Sequence, residues 1–124
     1  MKKYKITFWI STIILFLFEG VMPLTSLIFA PESAIAGTSH LGYPVYFTYA
    51  LIIFKVLGST GLIVVNLPRN LKEWIYAGFG FDFIFASISH FAVDGIGFES
   101  FFPLIFVVIL VVSYVNYFKA YSQN

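Results

Sequence analysis

The sequence predicts an all-α integral membrane protein, a bundle of four transmembrane helices with both termini in the cytoplasm. Three observations lead there. Of 124 residues, 60% are hydrophobic and only 10% are charged, and the mean hydropathy is +0.92. A water-soluble domain is about one-quarter charged, so this chain cannot cover itself with a water-compatible surface. Four segments are long and apolar enough to cross a bilayer, which takes about 20 residues of helix. The basic residues between and around them all fall on one side. A chain of this length forms one membrane domain, residues 1–124.

The first span runs over about residues 6–28. Its start, MKKYKITFWISTIILFLF, has the charge and apolar run of a signal peptide, and Ala34-Ile35-Ala36 supplies a cleavage-type motif. A signal core is about 7–15 residues long. This run is longer and is interrupted by Glu19, so it reads as a retained span. The segment APESAIAGTSHLGYP (30–44) is rich in Pro, Gly and Ser and reads as a loop. The second span covers about 45–67 and ends at the charged, Pro-containing PRNLKE (68–73). The third covers about 74–93, followed by DGIGFES (94–100), and the fourth about 103–118. Pro103 fits the first turn of that helix, where a missing N–H costs nothing.

Charge sets the orientation. Lys2, Lys3 and Lys5 precede the first span, Arg69 and Lys72 separate the second from the third, and Lys119 follows the fourth. Glu32, Asp94 and Glu99 occupy the other two loops. The positive-inside rule makes the basic side cytoplasmic, and an even number of spans returns both termini to it. No internal repeat is evident.

Four ionisable residues remain at membrane depth: Glu19, Lys55, Asp82 and His90. Such groups usually face the bundle interior and pair, because an unpaired charge in hydrocarbon is costly. Lys55 falls near the midplane, Asp82 about a third of the way in from the cytoplasmic face, and Glu19 and His90 nearer the outside. Lys55 is therefore within reach of Asp82 below it or Glu19 above it. Helical spacing supports inward polar stripes. Thr48, Lys55, Ser59 and Asn66 share one face of the second span, bordered by Gly58 and Gly61. Gly78, Asp82, Ala86 and Ser89 share a face of the third, with His90 on its edge. Thr12, Glu19 and Pro23 align in the first. The fourth span is aliphatic until Ser113, Asn116 and Tyr117 and reads as a support. Glu73 opens the third helix, where a carboxylate complements the helix dipole. Trp74 and Tyr76 read as an interfacial aromatic belt, and most of the 16 Phe as lipid-facing or packing residues.

A net charge of +1 gives no support to a nucleic-acid partner. The chain has no cysteine, which excludes disulfides, thiolate metal sites and thiol chemistry of its own. No Walker loop, dinucleotide fingerprint or zinc-protease motif occurs. One span histidine and two scattered acids are too few for a metal site. Haem ligation by a histidine pair has little basis, with His40 in a loop.

The order L-G-Y-P (41–44), K-V-L-G (55–58), Pro68, L-K-E-W-I-Y-A-G-F (71–79), F-D (81–82), A-S-I-S-H (86–90), Pro103 and S-Y (113–114) resembles the DoxX-like family of small four-helix membrane proteins, over about residues 10–115. The E-W-x-Y-A-G-F segment and the A-x-x-S-H after it are the most specific parts. Ile75 stands where family members commonly have Ala. On this resemblance Tyr43, Pro44, Lys55, Gly58, Glu73, Trp74, Tyr76, Gly78, Asp82, Ser89 and His90 occupy the family's characteristic positions. The wider group includes a membrane subunit of a thiosulfate:quinone oxidoreductase, members linked to oxidative-stress complexes and distant membrane assembly chaperones. The resemblance thus implies fold and topology more than reaction. A four-helix disulfide oxidoreductase of the vitamin K epoxide reductase kind is excluded by the missing cysteines.

Three functions follow as expectations. The first is a subunit of a membrane redox system that binds a quinone or other lipophile. Asp82 and His90 would contact or relay protons to the ligand, Lys55 would tune the carboxylates, and Glu19, Ser59 and Ser89 would complete the polar set. Such a subunit needs a redox partner, since the chain offers no electron carrier of its own. The second is a chaperone-like assembly or interaction protein without catalysis, whose buried charges only set helix register. The third is a small proton-coupled transporter, disfavoured because Lys55 would neutralise the carboxylate such a cycle needs. The bilayer is a partner in every case, and small-residue faces favour a homodimer.

Overall fold

The structure, a computed structural model, describes residues 2–121. Five helices form among them: α1 Lys2–Phe29, α2 Pro31–His40, α3 Val45–Ile63, α4 Arg69–Asp94 and α5 Phe98–Tyr121. All but α2 are long and apolar enough to cross a membrane. Local chemistry sets the breaks. Pro31 occupies the first turn of α2, where proline is tolerated. Gly42 at φ 94° and Gly95 at φ 75° supply the left-handed backbone that turns the chain after α2 and α4. Pro44 and Pro68, both extended, precede α3 and α4.

α5 lies between α1 and α4 and packs along both, while α3 leans on α1 and meets α4 over a shorter length. The core is a cluster of Leu15, Leu62, Tyr76, Phe79, Phe83, Phe106 and Leu110. On α4 the buried face is Tyr76, Phe79, Phe83 and Ser87, the spacing of one helix side. The opposite faces expose Ile10, Ile13, Phe54, Leu57, Phe85 and Val108, as a lipid-facing surface requires. Apolar burial drives little between helices in lipid, so packing and interhelical hydrogen bonds hold the bundle. Ser113 on α5 bonds both Thr12 on α1 and Tyr76 on α4, at 2.7 Å each.

The end of the bundle near the termini is closed by Lys72. Its side chain is fully buried. Nζ donates to the carbonyls of Gly61 and Leu62 at 2.9 and 2.8 Å, two of the acceptors that the last turn of a helix leaves open. The ammonium also lies 4.4 Å from the Tyr117 ring centre, a cation–π distance. Beside it, Glu73 accepts from Tyr114 Oη at 2.8 Å and from Arg69 Nε at 3.2 Å. At the other end His40 and His90 both bond Asp94, the latter at 2.8 Å, and Tyr43 bonds Ser89 at 2.7 Å.

Several expected boundaries move. The 30–44 segment is not all loop, because Pro31 starts a short helix that His40 ends. α3 stops at Ile63, so Asn66 lies beyond the helix and off its polar stripe. α4 starts at Arg69, and Lys72 is a buried helical residue in place of a loop cation. Glu73 consequently lies past the first turn, with Arg69 and Tyr114 as partners in place of the helix dipole. Tyr76 is buried and belongs to the core, not to an interfacial belt. α5 starts at Phe98, which puts Pro103 inside the helix and not at its start. Asp94 closes α4 and is not a loop residue. With these limits Asp82 is midway along α4, at the depth of Lys55.

Candidate functional site

Glu19 sits in an irregular part of α1. Residues Leu17–Val21 form a π turn, in which the Met22 N–H reaches back to the Leu17 carbonyl. Pro23 explains it: proline cannot donate to the carbonyl four residues earlier, that of Glu19, and its ring crowds that oxygen. Such widened turns occur mostly singly and often at functional sites. The adjacent Gly20 lets α3 approach. A Cβ there would lie 2.3 Å from Ser59 Oγ, so the Ser59 side chain packs directly against the α1 backbone. Ser59 is one helical turn from Lys55, and this contact brings Lys55 onto Glu19.

The result is a three-residue charge cluster. Lys55 Nζ is 3.1 Å from Glu19 Oε1 and 3.9 Å from Asp82 Oδ2. One ammonium from α3 therefore bridges carboxylates from α1 and α4. The Glu19 side chain is 10% exposed and those of Lys55 and Asp82 are 23% exposed. Asp82 Oδ2 is buried and accepts no hydrogen bond. The lysine thus pairs with Glu19 at hydrogen-bond distance and meets Asp82 only as a charge. In formal charge the cluster is two acids against one base.

Lys55 and Asp82 also face a cleft of about 320 Å³ between α3 and α4. From α3 it is walled by Leu51, Phe54 and Gly58, and from α4 by Trp74, Ile75, Gly78 and Phe79. Gly58 shapes it, since a Cβ there would lie 2.9 Å from the Phe79 ring. A Cβ at Gly78 would meet no atom within 4 Å, so that position opens directly onto the free space. The volume is at the lower end of the range for small-molecule pockets, about 300–1,000 Å³.

The remaining candidates lie elsewhere. Ser59 is buried at the α1–α3 contact, where Oγ donates to the Val56 carbonyl at 3.2 Å. Ser89 and His90 belong to the end of the bundle away from the termini, with Tyr43 and Asp94. His90 is two helical turns beyond Asp82, about 12 Å along the axis, so Asp82 and His90 do not share one site. Tyr43 stacks on Phe47 at 4.3 Å, and Pro44 precedes α3. Of the characteristic positions, Lys55, Gly58, Trp74, Gly78 and Asp82 line the cleft, whereas Glu73 and Tyr76 bond to α5. Sequence reasoning missed the cleft walls Leu51, Phe54 and Phe79. Leu51 and Phe79 share a face with Lys55 and Asp82 at helical spacing, and that was the available signal, whereas Phe54 directly precedes Lys55 and gave none. It also missed His40 and Asp94, which only the fold brings to His90. Among the described residues no group of three His, Asp or Glu side chains is arranged to hold a metal ion.

The sequence model of the DoxX-like family matches residues 7–113. No curated protein and no solved structure shows significant similarity to the chain. The family match spans most of the protein and agrees with four apolar helices of crossing length, so this chain belongs to the DoxX-like family and is a multi-pass membrane protein.

Proposed function

We propose that the protein binds a quinone or a similar lipophile in the cleft between α3 and α4, as a subunit of a membrane redox system. The observation that carries this reading is the coincidence of an apolar cleft with a polar cluster on its wall. Phe54, Phe79 and Trp74 offer aromatic surface to a ring, and Lys55 and Asp82 offer charged contacts to its oxygen substituents. At mid-membrane an ionisable cluster is costly to keep, and exposure of two of its members to a cleft favours use over mere register-setting. The roles expected of Ser59, Ser89 and His90 are not part of this site. The orientation with both termini in the cytoplasm and a single domain over 1–124 remain part of the proposal, the orientation supported by the gathering of Lys5, Arg69 and Lys119 at the termini end of the bundle.

Mass spectrometry of small molecules retained in mild detergent tests it, with a Lys55→Ala/Asp82→Asn control. A stoichiometric lipophile lost from the control supports the reading. A bundle that retains nothing, with stable protein partners in its place, shifts the function to assembly.

A further inference from the structure

We infer that the cleft selects a lipophile that donates a hydrogen bond, the phenolic, reduced form of a quinone over its oxidised form. This rests on the cleft being the ligand site. The polar groups on the cleft are unevenly matched. Asp82 Oδ2 is buried and accepts no hydrogen bond. The ammonium nearest to it, Lys55 Nζ, is 3.9 Å away and is drawn to Glu19, at hydrogen-bond distance of 3.1 Å. Two carboxylates thus face one cation, and the cation serves Glu19 first. The neighbouring walls cannot supply the donor that Asp82 lacks, because Leu51, Phe54, Gly58 and Phe79 carry no polar side-chain atom. Trp74, the one other donor on the cleft, is two helical turns from Asp82, about 12 Å along α4.

An oxidised quinone brings only carbonyl acceptors and leaves the Asp82 oxygen unmatched. A hydroquinone presents O–H groups, and a bond from one of them to a carboxylate is charge-assisted. In a low-dielectric site an unmet polar group is expensive and a met one is strengthened. The expected preference for the reduced form is at least about tenfold.

The chain has two Trp, so a Trp9→Phe protein leaves Trp74 as the sole indole, at the cleft wall. Its fluorescence is followed in phosphatidylcholine nanodiscs under anaerobic conditions. The titrants are a short-tailed benzoquinol, the matching benzoquinone and the quinol's dimethyl ether, which keeps the ring but has no donor. The expected result is tightest binding of the quinol, with the two others weaker by about tenfold or more and the gap closing in Asp82→Asn. Equal affinity for all three overturns the donor requirement and leaves the cleft as a ligand site. Tighter binding of the quinone also overturns it, because Asp82 then acts as a proton-bearing donor. Binding of none of the three overturns the ligand reading itself.

Discussion

Two lysines of this bundle are held at membrane-spanning segments, and their surroundings differ. Lys72 is fully buried, yet it has two carbonyl partners and an aromatic face. It closes the last turn of α3. Lys55 is more exposed, lies between two carboxylates of which Asp82 has a buried oxygen that accepts no hydrogen bond, and borders a cleft. A polar group that serves the fold is satisfied by the fold. One with an unmatched neighbour and open space beside it is available to a ligand. The same contrast separates the termini-side half of the bundle, tied by Ser113, Tyr114 and Tyr117, from the middle, where the cleft opens between α3 and α4.

The largest effect on stability is expected from Lys72→Met, which keeps the stem but removes the ammonium. Bonds to a charged donor are worth about 1.5–3 kcal/mol each, so a loss of about 3 kcal/mol should appear in thermal unfolding in detergent, with any bound lipophile retained. A normal melting curve would place Lys72 and Lys55 in the same class and erase the contrast. Next is Gly20→Ala, whose methyl group meets Ser59 Oγ. Overpacking of this kind costs about 1–3 kcal/mol, and Ser59→Ala in the same chain should recover part of it. Additive losses in the double variant would disprove the Gly20–Ser59 contact. Ser113→Ala breaks two interhelical hydrogen bonds at once. At about 0.6 kcal/mol each in a membrane protein, the expected loss is about 1 kcal/mol, and Tyr76→Phe added to it should cost little more. The smallest effect is expected at the end away from the termini. His40 is mostly exposed, so His40→Ala should leave the melting temperature unchanged within error. A large drop would make the His40–Asp94–His90 contact a main support of the bundle.

The four spans were legible because each is a long apolar run, and the inward placement of Lys55, Glu19 and Asp82 followed from helical stripes. The choice of carboxylate for Lys55 was not legible, since it depends on the α1–α3 approach that Gly20 and the π turn permit. The answer is both, with Glu19 nearer. Charge misled at Lys72: a cation in a polar stretch reads as a loop residue, but its stem lies against aromatic rings and its ammonium meets helix carbonyls. Proline misled at Pro103, where helix N-terminal to it persists back to Phe98. The cleft had no local signal of its own. It lies between α3 and α4 and depends on how these helices pack, with Gly58 and Gly78 as the nearest hints. His40 and Asp94 are far apart in sequence, and only the path of α2 over the end away from the termini joins them.

The central claim is that the space beside Lys55 and Asp82 is a ligand site. Gly78→Leu tests it most directly, because the position lines the cleft and a Cβ there meets no atom within 4 Å. The measurement is the lipophile retained by wild type and Gly78→Leu after identical mild purification, by quantitative mass spectrometry, with melting temperature as a control. The account expects a stoichiometric ligand in wild type and its loss from Gly78→Leu at unchanged stability. Equal retention in both proteins would contradict it.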